Sequence, residues 1–150
     1  MSLEIEVMSL MKDAMKNKDE AMLRGLRAIK AEIIKAKTDP GANGEISADT
    51  ELKLLQKLVK QRKDSLAIYE QQSRPDLAVK ESEEIAIIEK FLPAQMSEED
   101  VKAAVQAIIT EIGASGPQDL GKVMGIATKQ LAGQADGKII SAIAKSLLTA

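Results

Sequence analysis

The chain has 150 residues, 45% of them hydrophobic and 29% charged, with a net charge of −2 and a pI near 5.3. It contains no Cys and no His, which excludes disulfides, thiolate nucleophiles, Cys/His zinc sites and imidazole general bases. The acidic balance also counts against bulk affinity for nucleic acid, and a DNA-binding protein is not expected.

Leu, Ile, Met and Ala dominate the apolar residues, with one Phe, one Tyr and no Trp. That set favours helix over strand, so an all-α fold is expected. No apolar run reaches the roughly 18–20 residues that span a bilayer. The N-terminus, MSLEIEVMSLMKDAMK, has no cleavable-signal pattern. A cytoplasmic location is expected.

The first helix is expected from Leu3 to about Lys16, with Leu3, Val7, Leu10, Met11 and Ala14 on one face. Asn17 is placed to cap the second, which runs to about Lys37. Its apolar stripe is Met22, Leu26, Ile29 and Ile33, joined by Leu23 and Ile34. The run Thr38-Asp39-Pro40-Gly41-Ala42-Asn43-Gly44 is a loop. Ser47 caps a third helix carrying Leu52, Leu55, Leu58, Val59, Leu66 and Tyr69, which ends before Pro75. A fourth helix follows Asp76 and runs to about Lys90, with Ile85 and Ile88 on its apolar side.

A domain boundary is expected in Leu92-Pro93-Ala94-Gln95-Met96, giving an N-terminal bundle of about four helices over 1–95 and a three-helix bundle over 96–150. Ser97-Glu98-Glu99-Asp100 opens the fifth helix with a capping-box pattern. That helix buries Val101, Ala104, Val105, Ile108, Ile109 and Ile112 and stops at Gly113. The sixth follows Gly116-Pro117, with Leu120, Val123, Met124, Ala127 and Leu131 on one face. The seventh is capped by Asp136 and carries Ile139, Ile140, Ile143, Leu147 and Leu148.

At about 100° per residue, Lys138, Ser141 and Lys145 lie opposite the apolar side of the last helix. Lys122, Gly125 and Lys129 lie likewise on the helix before it. Such lysines are commonly a solvated face, and they are also what a phosphate-contacting surface requires. Gly121 and Gly125 each cost about 1 kcal/mol in a helix relative to Ala. Close packing of a neighbouring helix is the first explanation for them, and close approach of a ligand the second.

In the N-terminal part, Lys53, Lys57 and Lys60 line one side of the third helix, and Arg62 and Lys63 extend the positive run. Glu81, Glu83, Glu84 and Glu89 form an acidic stretch that can pair with it. Arg62, Asp64, Arg74 and Asp76 are expected to form a structural polar network between helices three and four. There is no P-loop and no dinucleotide glycine motif. Ser141 and Lys145 stand i,i+4 on an outward face without the burial a nucleophile pair needs. No catalytic residue, metal site or cofactor is expected.

The order Gln61-Arg62-Lys63-Asp64-Ser65, Tyr69, Arg74-Pro75-Asp76-Leu77-Ala78, Glu84-Ile85 and Phe91-Leu92-Pro93-Ala94-Gln95 resembles the GatB/YqeY family, and within it the YqeY-like proteins. Gly121-Lys122-Val123-Met124 and Ala135-Asp136-Gly137-Lys138-Ile139-Ile140-Ser141, with Lys145 and Leu148, continue the match along almost the whole chain. The C-terminal part is similar to the tail of the tRNA-dependent amidotransferase B subunit, a helical module that contacts tRNA. The resemblance implies tRNA or a tRNA-handling enzyme as partner. It places Lys122, Asp136, Gly137, Lys138, Ser141 and Lys145 in the contact region, and Gly125 and Lys129, on the same helical face as Lys122, join them as RNA-contact candidates. The family label also carries a carbon–nitrogen ligase activity with glutamine as amido donor. For that activity this chain shows no active site and would need partner subunits. A protein–protein adaptor is the third reading.

Overall fold

The computed structural model describes residues 2–149 and is all-α. Seven α-helices are formed among them: α1 (Leu3–Lys16), α2 (Glu20–Lys37), α3 (Ala48–Gln71), α4 (Pro75–Glu89), α5 (Glu98–Ile112), α6 (Leu120–Gln130) and α7 (Gly137–Thr149). A single 3-10 turn, Pro117–Asp119, leads into α6. Helix contacts group α1–α4 into one bundle and α5–α7 into a second, divided between Leu92 and Pro93. The residues Pro93 to Gln95 therefore run with the second unit. The Gln95 Nε2 donates to the Gly133 carbonyl at 2.7 Å, and the Met96 N–H donates to the Gln134 carbonyl at 3.0 Å. Gly133 supplies that carbonyl from a left-handed turn, φ 76°, which a glycine adopts without steric cost.

Polar side chains set the helix starts. The N–H groups of Ile5, Met22, Thr50 and Asp100 donate to the side chains of Ser2, Asp19, Ser47 and Ser97 at 3.1–3.4 Å. Each satisfies one of the donors that a helix N-terminus leaves without a partner. Asn17 does not open α2, as its residue type suggested; it closes α1. Beyond it Lys18 turns left-handed, φ 54°, and the Lys18 and Asp19 N–H groups return to the carbonyls of Met15 and Ala14. This double closure leaves Asp19 as the next residue free to cap α2. Ser73, φ 55°, closes α3 in the same way, with Arg74 N–H on the Tyr69 carbonyl at 2.8 Å.

The first core is built on Val7, Leu26, Ile29, Ile33, Leu55 and Ile88, all fully buried. Three positions of α2–α4 depart from the helical stripes expected. Ile34 is 50% exposed, whereas Leu54 and Ile87, outside the predicted set, are buried. The α2–α4 crossing is close at Gly25, where a Cβ would stand 2.8 Å from Ile87 Cγ2.

Arg62, Asp64, Arg74 and Asp76 do not form one network. Arg62 reaches across to α4, its Nε donating to Glu84 Oε2 at 3.1 Å, while its Nη1 donates to the Leu58 carbonyl at 3.2 Å. Both partners are largely buried, at 17% side-chain exposure each. Arg74 instead clamps Asp76, two residues away, at 3.0 and 3.1 Å on the surface. That hydrogen-bonded clamp holds the Asp76 carboxyl below the usual carboxylate range. Asp64 joins neither pair and is exposed. Lys63–Glu89 at 3.4 Å also joins α3 to α4, and Arg24–Glu83 at 2.5 Å joins α2 to α4. The acidic stretch of α4 thus faces basic residues of two helices.

Glu81 is the member of that stretch without a salt bridge among the described residues. Burial, reinforced by the neighbouring Glu84 charge and opposed by Arg62, pushes its carboxyl above the ordinary glutamate range. The native state therefore holds more protons than the unfolded chain across that window, and stability falls as pH rises through it. Glu81→Gln is expected to raise the melting temperature at neutral pH. The gain should vanish below about pH 4, where glutamates are protonated in both states; calorimetry at the two pH values checks it.

Candidate nucleic-acid interface

The second unit is held by aliphatic side chains. Val101, Val105 and Ile108 of α5 meet Val123 and Ala127 of α6 and Ile140, Ala144 and Leu148 of α7. The buried line of α7 is centred on Ile140, Ala144 and Leu148, one residue on from the Ile139/Ile143/Leu147 line; Ile139 itself is 39% exposed. Ile112, expected in the α5 core, is 37% exposed. The packing of α7 against both α5 and α6 sets this phase, and Ala144 is small enough to let them approach.

Lys122 and Lys129 of α6 and Lys138 and Lys145 of α7 are all exposed, as are Gly125, Asp136 and Gly137. Ser141 is half-buried. Asp136 has a structural duty. Its carboxylate accepts from the Lys138 N–H at 3.1 Å, and its carbonyl accepts from the Ile140 N–H at 3.1 Å. It is the N-cap of α7, so the Asp-Gly-Lys order reads as cap, first turn, first lysine.

The two helices are also free of acid. LGKVMGIATKQ and GKIISAIAKSLLT contain four lysines and no Asp or Glu. The acids of this unit sit elsewhere: Glu98, Glu99 and Asp100 in the first turn of α5, Glu111 near its end, Asp119 and Asp136 before α6 and α7. Asp119 is itself engaged, accepting from the Ser115 N–H at 3.0 Å. Lys122, Lys129 and Lys145 have no ion pair among the described residues, in contrast to Lys37, Lys53, Lys57 and Lys63 of the first unit. This absence of acid was readable in the sequence and is the signal that residue-by-residue spacing misses.

The helix-packing explanation for Gly121 and Gly125 is overturned. A Cβ built at Gly121, Gly125 or Gly137 meets nothing within 4 Å among the described residues. Gly121 and Gly125 stand i,i+4 on the outer side of α6, beside Lys122 and Lys129. The result is a strip of helix backbone with little relief, bordered by positive charge. No group of three or more metal-ligating side chains occurs among the described residues.

A family model described as Yqey-like protein matches residues 5–148. The chain belongs to the YqeY-like family. Two relatives share the name "Altered inheritance of mitochondria protein 41, mitochondrial". The one from Clavispora lusitaniae is 36% identical over 107 residues, covering 70% of this YqeY-like chain and 61% of the relative. The one from Kluyveromyces lactis is 38% identical over 86 residues, covering 56% of this chain and 43% of the relative. The matched stretch is thus about half the length of these relatives. None of the described helices of the YqeY-like chain is long and apolar enough to cross a membrane.

The open and filled glycines should respond to substitution with opposite signs. Gly121→Ala and Gly125→Ala are each expected to stabilise the chain by up to about 1 kcal/mol, the helix-propensity difference with no steric offset. Gly25→Ala drives a methyl into Ile87 and is expected to lose about 1–3 kcal/mol to overpacking. Urea denaturation of the three variants checks the signs.

Proposed function

We propose that this YqeY-like protein is a non-catalytic accessory that contacts RNA, tRNA foremost, through the outer face of α6 and α7. The observation that carries the reading is the two-helix surface with four lysines and no acid. Three of those lysines have no competing ion pair among the described residues, so binding a phosphate would not require breaking a salt bridge. A phosphate chain could also approach the α6 backbone closely at Gly121 and Gly125, where no side chain stands in the way. The similarity of this unit to the tRNA-contacting tail of the amidotransferase B subunit supports the same reading. An amidotransferase link would run through partner subunits, because the Ser141/Lys145 pair stands at i,i+4 on the outer side of α7 without the burial a nucleophile pair needs. From composition we place the contact in a reducing, cytoplasmic compartment. The mitochondrial label in the relatives' names is theirs.

The test is tRNA binding by fluorescence anisotropy across a salt series starting at about 50 mM, where phosphate contacts are strongest. The variant replaces Lys122, Lys129, Lys138 and Lys145 by Ala. It should bind at least tenfold more weakly, with a salt slope shallower by roughly 3, the value for four lost phosphate contacts. A control replacing Lys53, Lys57, Lys60 and Lys63 changes net charge equally and should bind nearly as wild type. Equal binding by wild type and the first variant, or none by either, rejects the proposal.

A further inference from the structure

Building on the RNA reading of α6 and α7, we infer that these helices take double-helical RNA, a stem rather than a loop or a free strand, and take it without regard to base sequence. The two helices repeat one spacing. α6 carries Lys122, Gly125 and Lys129, and α7 carries Lys138, Ser141 and Lys145. Each set runs i, i+3, i+7, so two lysines share one side of the helix with a small residue between them. The lysines of a set stand about 10.5 Å apart along the helix axis. The helices pack against each other, which sets their axes roughly 8–10 Å apart. Neighbouring helices thus carry two rows of positive charge, each with a low point in the middle. A duplex offers two lines of phosphate, one for each row, whereas a single strand offers one.

Residue types decide between paired and unpaired RNA. Loops and single strands are held by stacking their splayed bases on aromatic rings or guanidinium planes. Residues 93–150 contain no Phe, Tyr, Trp or Arg; Phe91 and Tyr69 belong to the first unit. Base edges are read by paired hydrogen bonds from Arg, Asn, Gln or acidic side chains. Of these, α6 and α7 carry only Gln130, at the end of α6. The hydroxyls of Thr128 and Thr149 are turned inward, donating to the Met124 and Lys145 carbonyls at 2.7 and 2.8 Å. What the face offers is lysine, a compact point charge suited to phosphate, and the hydroxyls of Ser141, half-buried, and Ser146, exposed. Duplex RNA is recognised through just such groups, by phosphate and 2′-hydroxyl contacts across a wide, shallow minor groove. The α6 backbone, bare at Gly121 and Gly125, lies against a shallow surface without a side chain to hold it off.

Fluorescence anisotropy on the full chain at low salt tests this with four RNAs: tRNA, a hairpin with a stem of about 16 base pairs, a second hairpin with the same base pairs in scrambled order, and an oligouridine strand with as many phosphates. The two hairpins should bind within about threefold of each other, where a base-reading face would separate them by roughly a thousandfold. The single strand should bind at least about tenfold more weakly than either, with one line of phosphate in place of two. Gln130→Ala should leave hairpin binding unchanged. The double variants Lys122→Ala/Lys129→Ala and Lys138→Ala/Lys145→Ala each remove one row, and each should make the salt slope for the hairpin shallower by about 1.8. Single-strand binding as tight as hairpin binding, a tenfold or greater preference for one hairpin, or wild-type hairpin binding by either double variant would each overturn the inference and leave RNA contact standing. So would binding of tRNA without binding of either hairpin. Failure of tRNA together with the other three RNAs is instead the failure of the proposed function, and the inference falls with it.

Discussion

Aliphatic burial among α5, α6 and α7 is the interaction on which the behaviour of the C-terminal unit rests. Val105, Val123, Ala127, Ile140 and Ala144 are almost completely buried, and each removes apolar surface from water at roughly 25 cal/mol per Å². A core of that kind asks little of charged side chains. The contrast with the first unit is physical. There, Arg24, Arg62 and Lys63 are tied to Glu83, Glu84 and Glu89 of α4, and breaking the largely buried Arg62–Glu84 pair would leave a charge poorly solvated. In the second unit Lys122, Lys129 and Lys145 are not committed to ion pairs among the described residues, and they remain available to a partner.

Much of this architecture was legible in the sequence because helices announce their ends locally. Ser2, Ser47 and Ser97 are caps whose partners lie three residues away, and the aliphatic stripes repeat at helical spacing. What was not legible depended on register between helices. Arg62 is close to Asp64 in sequence, yet its partner is Glu84, and nothing local reveals which turn of α4 faces which turn of α3. Ile139 and Ile140 are equally apolar and both belong to the α7 stripe in the sequence; only packing on two neighbours puts Ile140 at its centre and leaves Ile139 at its edge. Asn17 and Asp19 are both good caps; the left-handed turn at Lys18 decided between them.

Glycine shows the same limit for the candidate site. Gly25, Gly121 and Gly125 all lie within helices and look alike in the sequence. In the folded chain the space beside Gly25 is filled by Ile87, whereas the other two face open space. The lysines of the site could be found by periodicity, but their lack of acidic neighbours on α6 and α7 could be weighed only once the salt bridges of the other helices were known. Membership of the YqeY-like family fixes the kinship of nearly the whole chain; the acid-free lysine face of the second unit is the proposed contact surface.

The most direct test of RNA contact at this face is the backbone amide NMR spectrum of the 16.1 kDa chain titrated with tRNA at low salt. Gly121, Gly125 and Gly137 report from the surface itself, free of side-chain effects. The amides of α6 and the first turns of α7, these glycines among them, are expected to shift or broaden first and to recover on adding salt. Perturbation confined to α3 and α4, with α6 and α7 unmoved, would contradict the assignment of the contact to the second unit.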